Sequence, residues 1–72
     1  MYQGTTKTSE LPHQQRVIEE QKELCLKVNN LHSFFQTPLY DSIDKDEQYR
    51  LGKQFIFMEL YLGILNERIN NF

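Results

Sequence analysis

Seven apolar residues in the last third of the chain, Leu51, Phe55, Met58, Leu62, Leu65, Ile69 and Phe72, fall at alternating steps of four and three. On a helix this spacing draws one continuous apolar line, whereas a strand would scatter the same residues over both faces. Ile56, Phe57, Leu60, Tyr61 and Ile64 cover much of the other side of the same helix. A helix apolar on two sides requires two sets of partners. A second line of the same kind runs through Val17, Gln21, Leu24, Val28, Leu31 and Phe35, and only Gln21 interrupts it. A polar residue in such a line fixes register at some cost in stability.

The spacing predicts a first helix from about Leu11 to about Phe35, with Ser9 as its cap and Pro12 in its first turn. Thr37-Pro38 suits a cap followed by a short helical turn, from which Leu39, Tyr40 and Ile43 are expected to fold back over the open end. Asp44 then caps a second helix that runs from about Lys45 to near the C-terminus. Glu47 three residues on makes a capping-box-like pair, and Asp46 and Glu47 suit the positive end of the helix dipole. Two seams of similar length and a short connection predict an all-α fold, an antiparallel two-helix hairpin with a short helical turn in the connection. Residues 1–10, small and polar, read as a flexible arm, and residues 11–72 as the hairpin domain. On the solvated side, Arg16 with Glu20 and Glu23 with Lys27 are expected ion pairs. Gly63, inside the second helix, is tolerated most simply where another helix or a ligand approaches closely.

Pairing the two seams leaves Ile56, Phe57, Leu60, Tyr61 and Ile64 outside, a large apolar patch for a monomer. Chains as short as 72 residues often need disulfides, metal or self-association to hold together. A single cysteine, Cys25, excludes an internal disulfide and fits a reducing compartment. His13, Cys25 and His32 share no close ligand spacing, so no metal is expected. Self-association is the remaining route, most simply symmetric dimers or assemblies of dimers. A net charge of −2 argues against general binding to nucleic acid or to a membrane surface. The N-terminal run lacks the apolar core of a signal peptide, no stretch reaches transmembrane length, and the expected location is the cytoplasm.

No catalytic constellation stands out. There is no Ser-His-Asp order, no Gly-rich phosphate loop and no HExxH, and the carboxylates fall on solvated helical faces. Cys25, beside the first seam, reads as a small packing residue, and His32 as surface- or loop-facing. An enzyme is therefore not expected, and neither is a cofactor. The start of the first helix carries His13, Gln14, Gln15 and Arg16. Free backbone N–H groups and a positive dipole suit this end to anions. Arg16 can bind phosphate bidentately, and His13 can stack on a base or donate a hydrogen bond. On spacing alone the simpler reading prevails, that the same residues merely solubilise a helix start.

The run Leu11-Pro12-His13-Gln14-Gln15-Arg16-Val17-Ile18-Glu19-Glu20 resembles the opening of a family of very small phage proteins, the helical-hairpin sponges. These sequester the cyclic oligonucleotide messengers of the bacterial anti-phage system CBASS. Related hairpins sequester the cyclised ADP-ribose signals of the Thoeris system. Further similarities are Glu23-Leu24, Lys27-Val28, Leu31, Phe34-Phe35, Glu47-Gln48, Gln54, Met58, Tyr61 and the closing Leu65-Asn66-Glu67-Arg68-Ile69 with Phe72. The resemblance covers about Leu11 to Phe72. It implies a hairpin that assembles into hexamers built from dimers and binds a cyclic dinucleotide between protomers. It implies that His13 stands at the base-stacking position, that Lys27 most nearly matches a phosphate-binding lysine, and that Arg68 matches the arginine of a separate cyclic trinucleotide site. The sequence departs from the family pattern at His13, where another aromatic is more usual, at Gln21-Lys22 and at Cys25.

The expected ligand set is therefore His13, Gln14, Arg16, Lys27 and Arg68. The expected partners are further copies of the chain and a cyclic di- or trinucleotide or a cyclic ADP-ribose, in the cytoplasm of an infected bacterium. The rival expectation is a protein-interaction module whose exposed second-helix stripe docks a partner helix. A ligand that binds only the folded form would raise its thermal stability, which separates the two readings.

Overall fold

The computed structural model describes residues 11–72, and over them the fold is all-helical: α1 Pro12–Phe34, α2 Pro38–Ser42 and α3 Lys45–Asn70. The arm expected over residues 1–10 and the cap expected at Ser9 lie outside the described residues. The cap position of α1 falls instead on Leu11, whose backbone is extended (φ −110°, ψ 125°) and whose side chain makes no capping bond. Pro12 explains this start. It presets the helical φ, and its missing N–H is one of the donors that the first turn would otherwise leave unpaired. The Leu11 carbonyl accepts the first helical bond, from the Gln15 N–H at 3.0 Å.

Thr37 both ends α1 and begins α2. Its hydroxyl donates to the Phe34 carbonyl at 2.7 Å and accepts from the Tyr40 N–H at 3.4 Å. Pro38 then occupies the first position of α2. The Gln48 amide donates to the Tyr40 carbonyl at 2.8 Å, which ties this short turn to α3. Asp44 caps α3 by accepting from the Glu47 N–H at 2.8 Å. The Glu47 carboxylate does not return the favour to Asp44. It accepts from Arg50 Nε at 2.9 Å, the one ion pair formed among the described residues.

The two long helices pack along their lengths, the start of each against the end of the other. Gln21 Nε2 donates to Asn66 Oδ1 at 3.1 Å. At the opposite end the Phe35 and Phe55 rings meet edge to face at 5.4 Å, and His32 lies 6.0 Å from Phe55. Tyr40 closes that end over Phe35 (5.1 Å) and Phe34 (6.0 Å). Between the ends, Val17, Leu24, Val28 and Leu65 form the buried core, and Phe55, Met58, Leu62, Ile69 and Phe72 pack against it. Among the described residues only Leu65 is sealed off completely, at 0% exposure.

Leu39, expected to fold back with Tyr40 and Ile43, faces solvent at 64% exposure. α2 is a little more than one turn long, so neighbours on it diverge by about 100°, and with Tyr40 turned inward Leu39 cannot follow. The expected pairs Arg16–Glu20 and Glu23–Lys27 do not close. Exposed i,i+4 pairs are worth about 0.3–0.5 kcal/mol, too little to hold two long side chains in one conformation. Gly63 has no close neighbour within its own chain: a Cβ placed there would meet nothing within 4 Å. Cys25 is half-buried and accepts a weak bond from the Asn29 amide at 3.8 Å. No described helix is long and apolar enough to cross a membrane.

Candidate functional site

Pro12 supplies no N–H, and the N–H groups of His13 and Gln14 fall in the first turn, where no carbonyl of α1 can receive them. The start of α1 therefore combines a positive dipole end with the side chains of His13, Gln14 and Arg16. His13 and Arg16 are exposed and Gln14 is half-buried. The side-chain carbonyl oxygen of Gln14 is buried and accepts no hydrogen bond among the described residues. An amide oxygen removed from water without a donor is costly, and no partner among the described residues offsets that cost at Gln14.

The same end of the molecule carries Arg68. It stands in the last turn of α3, exposed, two positions beyond the Asn66 that bonds Gln21. A cation suits that helix end. The structure thus brings His13, Gln14, Arg16 and Arg68 to one end of the helix pair. Lys27 it does not bring there. Lys27 is exposed and follows His13 by fourteen positions along α1, about 21 Å of helix. Arg16 and Lys27 do share a face of α1, three turns or about 16 Å apart, with Glu20 and Glu23 between them.

These separations decide what one chain can do. The described chain is two helices wide, with Cα extents of 17 × 14 Å across its long axis, and no enclosed pocket occurs among the described residues. Within one copy His13 and Lys27 are thus set far apart along α1, with no enclosed surface between them. Among the described residues no three His, Cys, Asp or Glu side chains converge to hold a metal.

The other conspicuous surface is the outer side of α3. Ile56, Phe57, Leu60 and Ile64 stand 54–66% exposed there, with Tyr61 beside them. Lys53 lies over the Tyr49 ring, 4.8 Å from its centre, at the edge of this stripe. The sequence signal for this pair is a lysine four positions after a tyrosine, the spacing that stacks one over the other on a helix.

Against known proteins, a family model described as Sequestin matches residues 11–71. A 7.5 kDa protein from the denB-rIIB intergenic region of Enterobacteria phage T4, itself uncharacterized, is 39% identical over 62 residues, which is 86% of this chain and 97% of that protein. No solved structure matches the chain.

Proposed function

Because the chain belongs to the Sequestin family, we propose that it is a phage anti-defence sponge, a protein that removes a host immune signal by holding it rather than by cleaving it. The signal is a cyclic oligonucleotide, a cyclic dinucleotide first and a cyclic trinucleotide or a cyclised ADP-ribose next. It is bound between protomers of a homo-oligomer of antiparallel hairpins, hexamers built from dimers, in the cytoplasm of the infected bacterium. Residues 11–72 form the binding domain.

The observation that carries this reading is the span of the family match, 11–71, which takes in all three helices and every residue of the candidate site. The geometry supports it in two ways. The candidate ligand residues are split between one end of the helix pair and the middle of α1, as a site completed by a second copy requires. The outer side of α3 also offers the apolar surface with which copies would meet. In this reading His13 stacks on a base, Gln14 accepts from a base or sugar donor, and Arg16 and Lys27 bind phosphate. Arg68 serves the separate trinucleotide site. Stacking contributes about 1–3 kcal/mol per base, and charge-assisted bonds to phosphate add to it. A ligand of approximate two-fold symmetry gains each contact twice from a two-fold pair of chains.

Calorimetric titration of the purified protein against a panel of cyclic di- and trinucleotides and cyclic ADP-ribose isomers tests the reading. The expected result is saturable binding to at least one of them, with the ligand recovered intact after the protein is denatured. Absence of heat with the whole panel overturns it. The α3 stripe would then stand as a docking surface for a partner helix.

A further inference from the structure

We infer that α3 pairs with α3 of a second copy, the two helices antiparallel across a two-fold axis that passes at Leu60. The inference rests on the self-association contained in the reading above, and adds to it a surface, a register and the residues that set them. In such a pair, positions whose numbers sum to 120 face one another. The outer side of α3 is self-complementary about that point. Leu60 meets Leu60 of the second copy. Four positions to either side, Ile56 meets Ile64. Three positions to either side, Phe57 meets Gly63.

That last pairing accounts for two features left over from the single chain. Phe57 projects a ring into solvent at 66% exposure. Gly63 leaves space in which a Cβ would meet nothing within 4 Å. A large ring opposite a bare backbone is how packed helices approach closely, and it gives a helix-interior glycine a purpose that offsets its cost. Seven positions to either side of Leu60, Lys53 meets Glu67. Neither forms an ion pair within the chain among the described residues, and Lys53 rests over Tyr49 instead. Opposite charges at mirrored positions, flanking an apolar centre, form a two-fold interface with a polar rim.

Neighbouring registers lose this match. Sliding one copy by four residues sets Phe57 against Glu67, and sliding it by three the other way sets Lys53 against Ile64. A slide of one residue brings Lys53 to Arg68 and turns Ile56 toward Leu65, which is already fully buried. Of these registers, the one about Leu60 joins apolar to apolar at Leu60, Ile56 and Ile64 and cation to anion at Lys53 and Glu67.

Disulfide trapping and charge reversal test the register. Every substituted side chain but Cys25 lies on the exposed side of α3, outside the core. In a Cys25→Ser background, Leu60→Cys is expected to give covalent dimers under mild oxidation, and Gly63→Cys is not, because two copies of position 63 stand about 9 Å apart along the axis. Lys53→Glu and Glu67→Lys are each expected to weaken association about tenfold, since each sets like charges opposite one another at two mirrored places. The double variant restores it. Light scattering of the same samples separates the possible failures. A full-sized oligomer in which Leu60→Cys does not cross-link and the double variant does not recover overturns the register and leaves self-association standing. A monomer at every concentration overturns both. Nucleotide binding is read by calorimetry independently of either.

Discussion

Gln21 of α1 and Asn66 of α3 form the one side-chain hydrogen bond that joins the two long helices among the described residues, 3.1 Å between partners forty-five positions apart. It sits where the apolar line of α1 is interrupted. An apolar side chain at position 21 would pack acceptably at several registers, whereas an amide that must meet Asn66 accepts one. Gln21→Ala and Asn66→Ala are each expected to cost about 0.5–1.5 kcal/mol, and the double variant little more than either alone. Denaturant titration of the four proteins checks this. Strictly additive losses would mean that the bond contributes nothing as a pair.

Leu65 is the best-buried side chain among the described residues. Leu65→Ala should cost about 2–5 kcal/mol at any protein concentration, because the cavity opens inside one chain. Leu60→Ala should leave the dilute protein unchanged and act only where copies associate. Melting curves at two concentrations a hundredfold apart separate them. A loss for Leu60→Ala that does not depend on concentration would place that side chain inside the chain's own packing.

Gly63→Ala should change sign with assembly. In the single chain a methyl group meets no neighbour and relieves the cost of glycine in a helix, a gain of about 1 kcal/mol. In the paired state it stands where the Phe57 ring of the second copy packs. The variant is expected to melt higher when dilute and to associate more weakly, as sedimentation would measure. Stronger association would remove Phe57 from that position.

The lines through Leu51–Phe72 and Val17–Phe35 could be read from the sequence because helical geometry alone turns a four-three spacing into a face. All seven residues of the first line are shielded, and the five read as left over all face outward. The cap at Asp44 and the turn begun by Thr37 and Pro38 were legible for the same reason, since each depends on neighbours within four positions. Leu39 and the two α1 ion pairs were not. Their placement depends on differences of a few tenths of a kcal/mol between solvated conformers, which residue type does not encode. The proposed ligand residues were singled out chiefly through resemblance. On one chain His13, Arg16 and Lys27 are indistinguishable from ordinary solvated side chains, and in the proposed reading their contacts are made between copies.

Arg16→Glu and Lys27→Glu should each abolish nucleotide binding while leaving the mass of the assembly intact. Both side chains are exposed and make no ion pair in the chain among the described residues. Calorimetry with light scattering on the same samples measures both properties. Unchanged affinity in both variants would move the phosphate site elsewhere. His13→Tyr, which presents a larger ring to a base, is expected to tighten binding, with stacking worth about 1–3 kcal/mol per base as the ceiling.

The cluster of Phe34, Phe35, Tyr40 and Phe55 closes the connecting end of the helix pair with partners at most twenty positions apart, while the far end is joined across forty-five. Shorter loops close at a smaller entropic cost, so folding is expected to start at the aromatic tip and to zip away from it. The end with His13, Gln14, Arg16 and Arg68 is then expected to order last and fray first. Amide hydrogens should therefore exchange fastest there, and a ligand held at that end would slow them most, clamping the helix pair at the point where its own contacts are most easily lost.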